Sequence, residues 1–204
     1  MFHPVGHPME RGWVGRIDGD RVIQLAAQTL QSFFTGGGTA REHAEFPRSD
    51  VVLLAPVLHP PSIRVFDDEE TFAFANPAAI VGPGAVVTHP EQLSARGRPT
   101  AVIGADGEIG GFTVLAEWCA HGVRAPKDRD FALGLGPAVV TPDEVTPPGF
   151  DWAAAVALAA AGTVLYPGDL LAGPAVESRE VAPGSAVTFA INGIGTLEQQ
   201  VGAP

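Results

Sequence analysis

The sequence predicts a mostly β protein with a few helices, of the α+β class. Glycine and proline are both abundant, at 25 and 19 of 204 residues, and such residues punctuate chains built from many short strands. The apolar runs between them are mostly four to nine residues long, the length of buried strands. Only two stretches have helical spacing.

The first strands are predicted near the N-terminus. Trp13–Ile17 and Arg21–Leu25 alternate around Asp18-Gly19-Asp20, a hairpin with a glycine-containing turn. Ala26 to Phe34 has apolar residues at helical spacing (Leu30, Phe33, Phe34) and stops at Gly36-Gly37-Gly38. Residues 39–50 are polar and read as a linker. On this reading residues 1–50 form a hairpin-and-helix unit with its linker, and residues 51–204 form the main domain.

Further strands are predicted at Val51–Leu54, closed by Pro56, and at Phe72–Ile80 and Ala85–Val87 around Gly82-Pro83-Gly84. Thr100–Ile103 is another. Phe112 to Cys119 fits either state and is assigned as helix in its second half. Ala138–Thr141 is a strand ending at Pro142. Asp151–Ala161 is a helix, with Asp151 as N-cap and Gly162 as its stop. The turns Pro167-Gly168 and Pro183-Gly184 separate three short strands, since proline presets φ and glycine takes the positive φ that follows. Val187–Ile191 is read as the last strand.

Composition narrows function. The net charge of −11 argues against nucleic-acid binding, which needs a basic footprint. Eleven of the twelve basic residues are arginine, and Lys127 is the only lysine. The single cysteine, Cys119, allows neither an internal disulfide nor a cysteine-based zinc site. No signal peptide is recognisable, and the apolar run Ala153–Gly162 is too short to span a bilayer. A cytoplasmic protein without membrane contact is expected.

Several segments, taken in order, carry a resemblance. They are Val52–Val57 followed by Pro60-Pro61-Ser62-Ile63-Arg64; Phe72–Ile80 with Gly82-Pro83-Gly84; Ala101-Val102-Ile103-Gly104; Gly111-Phe112-Thr113; Lys127–Pro137; Leu165–Asp169; and Ile191–Leu197. Their order over roughly residues 11–201 resembles the fumarylacetoacetate hydrolase family. The resemblance implies a mixed β-roll of curved sheets with flanking helices, usually as a homodimer. Typical members bind a β-dicarbonyl or 2-oxo acid through a divalent metal and hydrolyse, decarboxylate or isomerise it.

The family's metal site, carried over position by position, is altered here. Its E-x-E pair falls on Arg96 and Arg98, and its aspartate on Glu117. Hard cations such as Mg²⁺ or Mn²⁺ need oxygen ligands, so no metal or other cofactor is expected, unless a residual site recruits Asp67, Asp68, Glu69 and Glu70. The two arginines either replace the cation as a clamp for an anionic or dicarbonyl substrate, ion-pair with Glu117 and fill the cavity, or belong to a solvated loop. The family's water-activating His-Glu pair has no counterpart between Arg64 and Phe72, where Glu70 is the remaining candidate carboxylate. His43 and Glu45 lie too far upstream. The threonine of a G-T-P loop is missing from Ala172-Gly173-Pro174.

The family's lysine maps to Lys127 or Arg129, where a cation would polarise a carbonyl. Asn76 is a further substrate-binding candidate. Cys119 and His121 are not expected to act as a nucleophilic pair, because residues two apart on a helix diverge. The favoured reading is a metal-independent isomerase, cyclase, dehydratase or decarboxylase, as in secondary metabolism, with Glu117 or Glu70 as acid or base. A non-catalytic relative that binds a ligand or partner, and a residual metal-dependent hydrolase or lyase, remain the alternatives.

Overall fold

The structure is a computed structural model that describes residues 1–203. Its N-terminal part contains two small antiparallel sheets. Strand β1 (Phe2–Pro4) pairs with β5 (Val51–Leu53), while β2 (Gly15–Asp18), β3 (Arg21–Ala26) and β4 (Thr39–Pro47) form a three-stranded sheet in the order β2-β3-β4. The predicted hairpin is therefore present. The predicted linker is not: residues 39–47 are the third strand, followed by one 3₁₀ turn at Arg48–Asp50. The strand carries almost no apolar face. It is held by backbone pairing and by exposed ion pairs, Arg16 to Glu42 at 2.6 Å and Arg21 to Glu45 at 2.7 Å.

The first helix is shorter than its apolar spacing suggests. It covers only Leu30–Phe34 (α1), because Ala26 still belongs to β3 and Thr29 caps the helix. The Thr29 hydroxyl accepts from the Ser32 amide, and Ser32 Oγ accepts from the Thr29 amide, both at 3.0 Å. This reciprocal cap fixes the starting point.

The main body contains β6 (Ile63–Phe66), β7 (Phe72–Ala75), β8 (Ile80–Val81), β9 (Val86–Val87), β10 (Leu93–Ile103), β11 (Ile109–Ala120), β12 (Leu133–Val140), helix α2 (Trp152–Ala160), β13 (Leu170–Ala172), β14 (Glu177–Val181), β15 (Ala186–Ile191) and β16 (Gly195–Val201). The large sheet has the order β7-β6-β13-β10-β11-β12-β8, with β14 on the other half of β10, and curls into a half-barrel. A second sheet, β15-β16-β9, packs against it. The chain thus continues past Val187–Ile191: residues 192–194 turn it into β16. Among the described residues no helix is long and apolar enough to cross a membrane.

One assignment and one open alternative are overturned in the centre of this sheet. Residues 112–119 are strand throughout, not partly helix, and residues 94–99 are strand, not a solvated loop. The physical reason is burial on both faces. Phe112, Val114, Ala116, Trp118 and Ala120 join one core, while Leu115 joins the other. A strand covered on both sides shows no polar alternation, so its apolar run looks the same as a buried helix. Pro99 is tolerated within β10 because the strand changes neighbour there. β14 pairs with Leu93–Gly97 and β13 with Thr100–Val102, which leaves no ladder bond for Pro99 to lose.

Helix α2 forms as predicted. Asp151 caps it by accepting from the Ala154 amide at 2.9 Å, and Trp152, Ala155 and Ala159 are buried against the core that contains Phe112. The second sheet is keyed to the first by close contacts. Gln199 is fully buried, and its Oε1 accepts from Trp118 Nε1 at 2.7 Å. A Cβ on Gly97 would lie 2.5 Å from Phe189 Cδ1. Gly97→Ala should therefore destabilise the protein by roughly 1–3 kcal/mol through overpacking. Urea unfolding checks this, and an unchanged midpoint would show that Phe189 moves aside freely.

Candidate functional site

Strand period places the site. Residues two apart share a face, so Arg96 and Arg98 of β10 project to the same side, together with Thr100 and Val102. In the antiparallel register Arg96 lies directly opposite Glu117, and Arg98 opposite Leu115. Glu117, and Cys119 two residues on, therefore share that face with the arginines. The strand assignment also removes the helical argument about Cys119 and His121. They have different partners instead: Cys119 Sγ lies 3.8 Å from Asp128 Oδ2, and His121 Nε2 lies 3.3 Å from Glu180. Burial, with Asp128 nearby, pushes the Cys119 thiol above its ordinary value. That favours the neutral thiol over the thiolate that acts as nucleophile.

Arg98 is the centre of the cluster and is 0% exposed. Its Nε donates to Glu117 Oε2 at 2.9 Å, and its Nη2 lies 2.8 Å from the same oxygen. Nη1 donates to the carbonyls of Phe66 (2.9 Å) and Gly173 (3.1 Å). Nη2 also donates to Asp67 Oδ1 at 2.7 Å. Each nitrogen of the guanidinium thus has a hydrogen-bond partner. Gly173 belongs to the shortened Ala172-Gly173-Pro174 loop, so its carbonyl, rather than a threonine hydroxyl, faces the site.

Glu117 is 3% exposed, and its second oxygen, Oε1, receives Arg129 Nη1 at 3.4 Å. Arg129, whose side chain is 40% exposed, also contacts Asp128 Oδ2 at 3.3 Å. Arg96 is half-buried and has no hydrogen-bond or ion-pair partner among the described residues. It lines a shallow cleft with Asp67 and residues 174–178. The Arg98 hydrogen bond, aided by the charges of Arg98, Arg96 and Arg129, holds Asp67 below its ordinary value of 3.8.

The structure therefore joins Arg96, Arg98, Arg129 and Glu117 and leaves the other candidates elsewhere. Lys127 is exposed (74%) and pairs with Asp130 at 2.7 Å. Asn76 caps a 3₁₀ turn through the Ala78 amide at 3.0 Å and donates to the Asp130 carbonyl at 2.9 Å. Glu70 lies in the exposed β6–β7 turn. In that turn Asp68 accepts from the Glu70 and Thr71 amides, and Glu69 accepts from the Asp151 amide. The four consecutive acids do not converge.

Of the four consecutive acids, Asp67 is the one that meets Arg98, from the solvent-exposed edge of the cluster, a contact that the run of acids does not single out. A second buried network was also missed. Asp169, at the end of the Pro-Gly turn, accepts from Ser62 Oγ (2.6 Å) and the Tyr166 amide (2.7 Å), with Arg64 3.9 Å away. Its signal was the spacing of a polar residue directly after a turn that must be closed.

No protein-family model matches the chain, and no curated protein matches it in sequence. Its fold is similar to solved structures. One is a maleylpyruvate hydrolase from Sphingobium sp. SYK-6, with TM-score 0.77 and 20% identity over 95% of this chain and 97% of that one. Another is a 2-hydroxyhepta-2,4-diene-1,7-dioate isomerase from Mycobacterium marinum, with TM-score 0.75 and 21% identity over 93% and 92%. A third is a 2-keto-3-deoxy-D-arabinonate dehydratase complexed with magnesium and 2,5-dioxopentanoate, with TM-score 0.79 and 14% identity over 98% and 97%. The chain has the fumarylacetoacetate hydrolase fold.

That dehydratase holds magnesium, and the maleylpyruvate hydrolase has also been solved with manganese and pyruvate. The residues here do not fit such an ion. A guanidinium already stands between the Glu117 and Asp67 carboxylates, and the described residues contain no cluster of three or more potential metal ligands.

Two outcomes follow from this geometry. Arg98→Met leaves a buried carboxylate and two carbonyls without their donor, and should cost roughly 3–5 kcal/mol. Adding Glu117→Leu should recover much of that loss, which denaturant unfolding of the single and double variants measures. Asp67 supplies a pH signature. Because its folded value is depressed, its contribution is present above 3.8 and is lost as pH falls through the lower folded value. Asp67→Asn should therefore flatten the acid limb of a stability-versus-pH curve below about pH 4, while leaving its slope at neutral pH unchanged.

Proposed function

We propose that this chain binds a small 2-oxo or 3-oxo carboxylic acid over Arg96 and Arg129 and enolises it without a divalent metal. One observation carries the reading: Arg96 is a half-buried guanidinium without a partner among the described residues, opposite the buried carboxylate of Glu117 on the neighbouring strand. An unpaired guanidinium at the wall of a cleft is a seat for a carboxylate. The neighbours in fold lend support, since their names describe enzymes of oxo and hydroxydienoic acids.

In this scheme Arg96 holds the substrate carboxylate and Arg129 faces the carbonyl oxygen. Glu117 Oε1, bonded only to Arg129 among the described residues, takes a proton from the carbon next to the carbonyl. The C–H electron pair becomes the enolate double bond, and the carbonyl electrons move to oxygen, where the guanidinium stabilises them. Return of the proton to a different carbon completes an isomerisation. Arg98 stays beneath as a fixed positive charge that keeps Glu117 oriented. A water-activating pair is absent from the scheme, so hydrolysis is not its outcome.

A second reading has its own support. With every Arg98 donor satisfied inside the protein, the site has the character of a filled cavity, and the chain would then bind an acid without changing it. The two readings part on one measurement. In D₂O, enolisation exchanges the carbon-bound protons of 2-oxobutanoate, which proton NMR follows directly. The expected result is enzyme-dependent exchange that EDTA does not reduce and that Glu117→Gln lowers by about 10²-fold or more, the usual contribution of a general base. Binding without exchange would leave the second reading standing. Exchange abolished by EDTA and restored by Mn²⁺ would favour the metal-dependent alternative.

A further inference from the structure

We infer that Asp67 sets the charge class of the acid this site accepts: it occupies a second anion seat, on Arg98, so the ligand is a monocarboxylate. The inference rests on the oxo-acid reading above and adds the substrate's charge to it.

The argument begins with the donors of Arg98. The Nε bond ends on Glu117 of the central strand, and the two Nη1 bonds end on the carbonyls of Phe66 and Gly173. These partners are buried groups of the sheet and the loop that follows it. Only the Nη2 bond to Asp67 ends on a side chain that reaches solvent: Asp67 is 69% exposed, while Arg98 is fully covered. The Asp67 carboxylate therefore sits where an incoming carboxylate would meet Arg98. It does so from the first residue of a turn that is tied down locally, with Asp68 accepting two backbone amides.

The pattern of pairing, in a cluster whose charges sum to zero, gives the same answer. The cluster holds three guanidiniums (Arg96, Arg98, Arg129) and three carboxylates (Asp67, Glu117, Asp128). Arg98 is shared by Glu117 and Asp67, and Arg129 by Glu117 and Asp128. Among the described residues of the cluster, Arg96 is the guanidinium without an ion-pair partner. One open guanidinium matches one ligand carboxylate. A second carboxylate on the ligand would meet Asp67 and Glu177, both of which line the cleft beside Arg96, and like charges at that range repel. An uncharged end, such as a methyl or a hydroxyl, meets no such opposition.

The test compares 2-oxopentanoate with 2-oxoglutarate, which share a five-carbon 2-oxo acid chain and differ in the second carboxylate. Isothermal titration at low ionic strength would use the wild-type protein, Asp67→Asn and Asp67→Ala. Asparagine keeps an acceptor for Arg98 and removes the charge, while alanine removes both. Asp67 lies on an exposed turn, so both variants are expected to fold, and thermal unfolding checks that they do.

The wild type should prefer 2-oxopentanoate, and Asp67→Ala should move the affinity ratio toward 2-oxoglutarate by about tenfold, the value of one charge-assisted hydrogen bond. Asp67→Asn should move it part of the way, and added salt should shrink both changes. A ratio that is the same in all three proteins, or a wild type that binds 2-oxoglutarate more tightly, would overturn the role given to Asp67 while leaving the anion seat on Arg96 intact. If neither acid binds any of the three proteins, the seat itself is absent and both readings fall.

Discussion

The buried guanidinium of Arg98 is the constraint on which the site depends. A charge with no exposure inside a β half-barrel is stable only if its hydrogen bonds are complete. That requirement brings together parts of the chain far apart in sequence: the end of β6 at Phe66 and Asp67, the loop after β13 at Gly173, and Glu117 on β11. Pro99 and the change of neighbour beside it belong to the same arrangement. Because β10 passes from β14 to β13 at that point, the Gly173 carbonyl is turned toward Arg98 rather than spent in a regular ladder.

A guanidinium and a divalent metal satisfy different conditions. A metal ion can exchange ligands and accept a substrate oxygen directly, whereas Arg98 is a covalent part of the strand with a fixed set of donors. It orients Glu117 and contributes a permanent positive potential, but its partners already fill it. In the proposed scheme a ligand is met at the rim, where Arg96 and the half-exposed Arg129 stand. Among the described residues Arg96 has no partner, and Arg129 shares Asp128 and Glu117 at the longer distances of 3.3 and 3.4 Å. The result is a cluster with a rigid charged floor and a softer charged rim.

Much of this was legible in the residues. The N-terminal hairpin and the capped helix at Asp151 follow from turn residues, capping residues and apolar runs, whereas the β-roll was implied by the family resemblance and the strand order is set by the tertiary structure. The pairing of Arg96 and Arg98 on one face was legible too, because period two dictates it once they lie on a strand. Less legible were β4, whose charged residues present no apolar stripe, and β11, whose burial on both faces erases alternation. Lys127 illustrates a different limit. Its identity as the only lysine drew attention, but a side chain's type does not say whether it points into a cleft or, as here, out to solvent beside Asp130.

By itself, the sequence determined which chemical groups are present and how they repeat: an alternating arginine pair at 96 and 98, a carboxylate at 117, and a run of acids from 67 to 70. Local rules suffice for that, because propensity, capping and strand period act over a few residues. Only the tertiary structure decided that Asp67, and not Glu70, meets Arg98, that Arg98 is sealed while Arg96 is open, and that Arg129 rather than Lys127 completes the cluster. Those choices depend on which segments cross in space and which side chains burial leaves without water. Such contacts, spanning tens of residues, are set by sheet pairing rather than by neighbours along the chain.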